Sequence, residues 1–419
     1  MSGVIRSRKV RVGGALVALA LALALSASWL EQRAVLEAQA SVVAPRFEVD
    51  PLWPKPMPNN WVMGMTIGIG VDDRNHVWVI HRGNDPGNLD RTELAVVQPG
   101  TPRVGECCDP APPVLEFDPA GNLVGHWGGK SQGYDWPESN HGIVVDHKGF
   151  VWIGGNGGPD AHILKFTRDG KFVAQFGKAN ARRDPKSPAE KPTFIPNSHD
   201  MDNFGRVAKI FIDPRANEAY VADGYFNKRV AVLDMDSGKI KRYWGAYGAK
   251  PDDAPMGRYN PNDPPAKQFR NPVHCAELSV DGMVYVCDRP NDRVQVFTKD
   301  GKFVSEHFIE KTTLADGSVW DIAFSRDPAQ KYLYMADGVN EHVRVFDRKS
   351  MTELYNFGYG GRQPGMFLGV HSIATDSQGN IYTTETYTGK RLQKFVFKGE
   401  GPVTSKKLGV PWPTTRSGN

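Results

Sequence analysis

ILKFTRDGKFVAQFG at 163–177 and VQVFTKDGKFVSEHF at 294–308 are nearly one sentence written twice. Looser copies follow the same pattern: VLEFDPAGNLVGHWG (114–128), VAVLDMDSGKIKRYWG (230–245), VRVFDRKSMTELYNFG (343–358) and LQKFVFKGEGPVTSKKLG (392–409). Their anchor residues Phe117, Phe166, Leu233, Phe297, Phe346 and Phe395 are separated by 49, 67, 64, 49 and 49 residues. The two long intervals carry insertions, KANARRDPKSPAEKP near 178–192 and AKPDDAPMGRYNPNDPPAKQ near 249–268. Each copy is an alternating run, a polar turn and another alternating run, which reads as a pair of strands.

An earlier half precedes each copy. HGIVVDHKGFVWI (141–153), HCAELSVDGMVYV (274–286) and HSIATDSQGNIYTT (371–384) each place Gly eight residues after His and an aromatic eleven after it. GVDDRNHVWVIHRG, IFIDPRANEAYVADG and IAFSRDPAQKYLYMADG supply this half in the other units. Four short antiparallel strands repeated six times predict an all-β fold, a six-bladed β-propeller over 47–410 with a tail at 411–419. FEVDPLW (47–53) is a spare strand-like segment that would complete the last blade and protect the open edges of the ring. No linker breaks the repeat, which argues against a string of separate β domains.

The composition fits this reading. The 419 residues are 40% hydrophobic and 23% charged, with 44 Gly and 31 Pro spread along the chain as turn formers. Arg6, Arg8, Lys9 and Arg11 precede the apolar run 15–30, and Ala38-Gln39-Ala40 follows it. This order predicts a signal peptide over 1–40 and an exported, periplasmic or secreted protein, with an uncleaved anchor as the alternative. Those 40 residues hold five basic and two acidic residues, so 46 basic face 45 acidic in the rest. A nearly neutral chain without a basic patch argues against nucleic acid as a partner, and no later apolar run is long enough for a membrane span. A monomer is expected.

Counting back from the inner-strand aromatic gives the residue at the start of each innermost strand: Ile67, His141, Ala208, His274, Trp320 and His371. Blades 2, 4 and 6 carry His. In a six-fold ring, three imidazoles would converge on the axis, a donor set suited to a catalytic zinc with an open fourth position. One layer out, after the second strands, stand Arg82, Tyr225 and Arg289. Two guanidinium groups suit a carboxylate, and a tyrosine beside them and a metal suits a general base.

Several units then read D-x-x-N-x-R/H-V, as in Asp223…Asn227…Arg229, Asp288…Asn291…Arg293 and Asp337…Asn340…His342, which resembles NHL repeats. These residues read as turn formers, not catalysts. HRG (81–83), HGIVVD (141–146), DGYFNKRV (223–230), PVHCAELS (272–279), DRPNDRV (288–294) and VHSIATD (370–376) together resemble the peptidyl-α-hydroxyglycine α-amidating lyase family, the lyase domain of peptidylglycine α-amidating enzymes. The resemblance implies Zn2+ on His141, His274 and His371, Tyr225 as base, and Arg82 and Arg289 on the substrate carboxylate. It implies cleavage of an N-acyl- or peptidyl-α-hydroxyglycine to an amide and glyoxylate. The family's acidic residue after the last zinc His is Ser372 here, which puts Ca2+ in doubt. The family disulfide of blade 3 is missing, with Phe226 in place of a Cys. Cys275 and Cys287 are symmetric about the turn at Asp281 and are placed to face each other, whereas Cys107-Cys108 reads equally as a disulfide, a metal ligand pair or free thiols. A non-catalytic propeller binding a protein or glycan, and a propeller lactonase, are the competing readings.

Overall fold

The computed structural model describes residues 42–413 apart from 84, 86 and 97–99, together with a few leader residues between 25 and 30. The expected signal peptide lies almost wholly outside the described residues. Among those residues, no helix is long and apolar enough to cross a membrane. Six four-stranded antiparallel sheets are formed. Their innermost strands are Thr66–Val71, Asn140–Val145, Val207–Asp213, Val273–Leu278, Asp321–Phe324 and Val370–Thr375, for blades 1 to 6.

The spare segment closes the ring as expected, with its strand set earlier than the sequence suggested. The strand is Val43–Asp50, and it pairs antiparallel with Leu392–Pro402 as the outer strand of blade 6. Trp53 lies beyond it and packs between Phe117 of blade 1 and Tyr382 of blade 6, at ring distances of 6.0 and 4.9 Å. The C-terminal run adds a second closure. Asn356 and Gly358 of blade 5 donate to the carbonyls of Lys406 and Gly409, and Val49 donates to Pro411. The core lies between blades, where buried aromatic and branched residues of facing sheets interlock, such as Trp152 with Ile210 and Val221.

The repeat turns are structural. Asp223 accepts from Asn227 and Arg229, and Asp288 from Asn291 and Arg293, each bond being 2.7–2.8 Å long. In blade 5 Asp337 accepts from Asn340 and, at 2.8 Å, from Arg344, which lies two residues after His342 on the same face of the strand, while His342 bonds the Gly358 carbonyl. Cys275 and Cys287 face each other in register and form a disulfide, and Cys107 is bonded to Cys108. Bonded cysteines fit an oxidising compartment.

Candidate metal centre

In every blade but the fifth, the second residue of the inner strand falls at a break in pairing. Register shifts fall between Thr66 and Gly68, Asn140 and Ile143, Val207 and Lys209, Val273 and Cys275, and Val370 and Ile373. In blade 5 the Trp320 amide bonds the Ala336 carbonyl, and Asp321 also pairs with Ala336. A bulge frees one residue from the ladder and re-aims both its side chain and its carbonyl. The freed residues are the six slots read from the sequence. Gly68 is required in blade 1, because a Cβ there would sit 2.3 Å from the His141 carbonyl oxygen.

The two kinds of blade use this freedom differently. Blades 2, 4 and 6 present His141, His274 and His371, whose rings lie 4.9–5.2 Å apart and whose candidate ligand atoms lie within 4.8 Å of one another. Blades 3, 5 and 1 present carbonyls. His141 Nδ1 donates to Ala208 at 2.6 Å, His274 Nδ1 to Trp320, and His371 Nδ1 to Ile67 at 2.8 Å. A carbonyl can only accept, so Nδ1 carries the proton and Nε2 is left bare. Burial pushes all three imidazoles well below their ordinary pKa, aided by Arg82, Arg289 and one another. The centre therefore holds three neutral, oriented nitrogen donors with a fixed tautomer.

Tyr225 and both arginines are at this centre. Tyr225 Oη lies 2.9 Å from His141 Nε2 and 3.0 Å from His274 Nε2, so its hydroxyl donates to one of them. Arg289 is buried, stacks 4.4 Å over Trp320 and brings Nη1 to 3.5 Å from Tyr225 Oη. Its Nε has no partner among the described residues. Arg82 donates Nε to the Asn140 carbonyl at 2.9 Å and Nη2 to Asn156 at 2.8 Å. Burial lowers its pKa, opposed by nearby Tyr225, Asp85 and Asp160.

Some supporting residues carried no sequence signal. His81 accepts the Gly83 amide at 2.9 Å and so shapes the bend that aims Arg82. Asp316 touches Arg289 at 3.5 Å through one oxygen and takes the Tyr387 hydroxyl at 2.8 Å on the other. A second residue group, Asp72, His76 and Glu116, is already paired with Arg74 and Arg168. On the axis, Lys209 bonds Asp321 at 2.6 Å and Glu277 at 2.9 Å, and its charge survives burial because of them. Ser372 Oγ lies against His371 Nδ1 at 3.1 Å. A hydroxyl and two carboxylates already holding an ammonium do not fit calcium. Three neutral imidazoles without a carboxylate do fit zinc.

No family profile matches the chain. It is 26% identical over 263 residues to peptidyl-glycine alpha-amidating monooxygenase B of Xenopus laevis, covering 62% of this chain and 25% of that protein. The peptidylglycine alpha-amidating monooxygenase of Rattus norvegicus is 25% identical over 252 residues, 58% of this chain and 22% of its own length. The chain thus spans about a quarter of the length of these relatives. NHL repeat-containing protein 3 of Mus musculus is 27% identical over 303 residues, 70% of this chain and 65% of that one. Among solved structures, a streptogramin B lyase superposes with a TM-score of 0.47 at 12% identity over 85% of this chain and 98% of that chain. A virginiamycin B lyase from Staphylococcus aureus gives 0.42 at 13% identity, over 87% and 92%. The resemblance read from six short segments therefore extends to an alignment over more than half of the chain, and the fold is a six-bladed propeller of NHL type.

Proposed function

We propose that the chain is a zinc-dependent lyase that cleaves the C–N bond of an N-acyl- or peptidyl-α-hydroxyglycine. The observation that carries this reading is the convergence of three bare Nε2 atoms beside Tyr225, with Arg289 and Arg82 flanking. His141, His274 and His371 would hold the ion. When bound, zinc supplies Lewis acidity at the substrate hydroxyl. Arg82 and Arg289 bind and orient the carboxylate, a task for which the guanidinium fork is suited. Tyr225 acts as the base that takes the proton of the substrate hydroxyl. The oxygen's electron pair forms the aldehyde C=O, the C–N bond breaks, and the amide nitrogen receives the proton Tyr225 has taken up. The products are an amide and glyoxylate, so atoms and charges balance.

A scaffold that only binds a protein or glycan gives no reason for neutral His in alternate blades, each with its own carbonyl acceptor. The test is glyoxylate release from an N-acyl-α-hydroxyglycine by wild type, Tyr225→Phe and His141→Ala. Release by the wild type and a loss of at least about 100-fold in both variants is expected. Equal rates in all three would remove the mechanism.

A further inference from the structure

Beside Arg82, between the end of blade 1 and the start of blade 2, a half-open groove of about 730 Å³ has no part in the chemistry above. Its lining combines the aromatic rings of Tyr134 and Trp136 with the carboxylates of Asp85, Asp135, Glu138 and Asp160. Lys130 stands on the exposed rim as the one basic ammonium or guanidinium group among the lining residues.

These carboxylates differ in how far they are already used. Asp160 accepts three backbone amides, from Glu138, Ser139 and Gly157, and so fixes the wall. Glu138 accepts the Gly158 amide on one oxygen and leaves the other open. Asp85 makes no side-chain hydrogen bond among the described residues, although partial burial raises its pKa to about 6 against the pull of Arg82. A carboxyl group removed from water without a bonded donor is incomplete.

His162 adds an independent sign. It is buried and lines the same groove. Its Nε2 lies 2.6 Å from the Asp135 carbonyl and must carry the proton. Its Nδ1 is buried and has no partner among the described residues. The open carboxylate oxygens ask for N–H donors. Aromatic rings in the same lining favour a cation over a neutral donor.

We propose that this groove is a subsite for a guanidinium or primary ammonium group, taken by the carboxylates of Asp85 and Glu138 with Tyr134 and Trp136 in the same lining. Asp85 follows Arg82 by three residues, with its amide on the Arg82 carbonyl at 3.1 Å. A substrate whose carboxylate lies on Arg82 thus projects its acyl part past Asp85. The lyase then prefers acyl groups that carry a basic side chain. This assignment to the substrate rests on the lyase reading, whereas the affinity of the groove for cations does not.

The experiment has two arms on the full chain. The first measures binding of N-acetyl-arginine amide and N-acetyl-citrulline amide by titration calorimetry at mildly alkaline pH, where Asp85 is ionised. The second measures glyoxylate release from α-hydroxyglycine compounds bearing the same two acyl groups. The arginine forms should bind and react about ten-fold better, the scale of a charge-assisted contact. The preference should collapse toward unity in Asp85→Asn/Glu138→Gln, with metal content checked for folding. Equal binding of the two amides by the wild type overturns the subsite, whatever the variant does. Release of glyoxylate from both compounds at equal rates overturns it too, and leaves the lyase reading standing. A binding preference without glyoxylate release supports the subsite and removes the lyase reading.

Discussion

Arg82 illustrates how a reactive group is held by residues that carry no motif. Its fork is fixed by the Asn140 carbonyl and by Asn156, so Asn156→Ala frees one guanidinium nitrogen without touching the imidazoles. Steady-state kinetics should show KM raised about ten-fold with kcat little changed and metal content unaltered. His81 behaves differently. Burial pulls its pKa from 6.5 to about 4, so the unfolded chain takes up a proton that the folded one refuses. Its contribution to stability is present above 6.5 and is lost as pH falls toward 4, at ~1.4 kcal/mol per pH unit and on the order of 3 kcal/mol in all. Denaturant titrations across that range should show the slope, and His81→Gln should flatten it. The three convergent histidines were legible because the aromatic eleven residues on fixes their phase. Their acceptors were not, since Ala208, Trp320 and Ile67 act through backbone carbonyls, and a backbone carbonyl has no letter in the sequence.

At the scale of elements, both insertions converge on the turn that carries Tyr225. Ser198, just beyond the first insertion, donates its amide and hydroxyl to Asp253 of the second, at 2.8 and 2.5 Å. Ser198 Oγ accepts the Lys228 amide, Asn197 bonds the Asn227 side chain, and Asn271 Nδ2 bonds the carbonyls of Gly224 and Asn227. The insertions thus latch the turn 223–229 from above. Asp253→Ala leaves the Ser198 amide and hydroxyl without their partner and loosens the turn. The expected result is a fall in kcat of about ten-fold at unchanged metal content, with partial rescue in Asp253→Asn. The insertions stood out in the sequence as breaks in the 49-residue spacing, but their target did not, because it depends on loops 30 and 55 residues apart meeting above one blade. The bulges were equally silent, and the place of Arg344 was hidden by a His two residues earlier at the expected offset.

For the whole molecule, the critical joint is where the two ends of the chain meet. Phe47 on the closing strand packs against Tyr334, Phe357 and Phe397 at 5.4–5.9 Å and is 7% exposed. Phe47→Ala should cost about 3–5 kcal/mol, read as a lower Tm for the entire ring in a single transition, since a propeller with an open joint exposes the faces of blades 5 and 6 together. That closure was legible in the sequence as one strand too many before the first unit. The second closure, by 403–411 along blade 5, was not, because it uses main-chain bonds from a run with no alternation.

The division of labour between alternate blades makes the centre a gauge of the ring's roundness. Each imidazole is anchored to one blade and steered by the next, so the spacing of the three nitrogens depends on the angular seating of all six sheets. A slight opening at any joint, even one far from the axis, would spread the triangle before it unfolded a strand. A cobalt ion held by these imidazoles would then read out in its visible spectrum the mechanical state of a circle it touches at only three points.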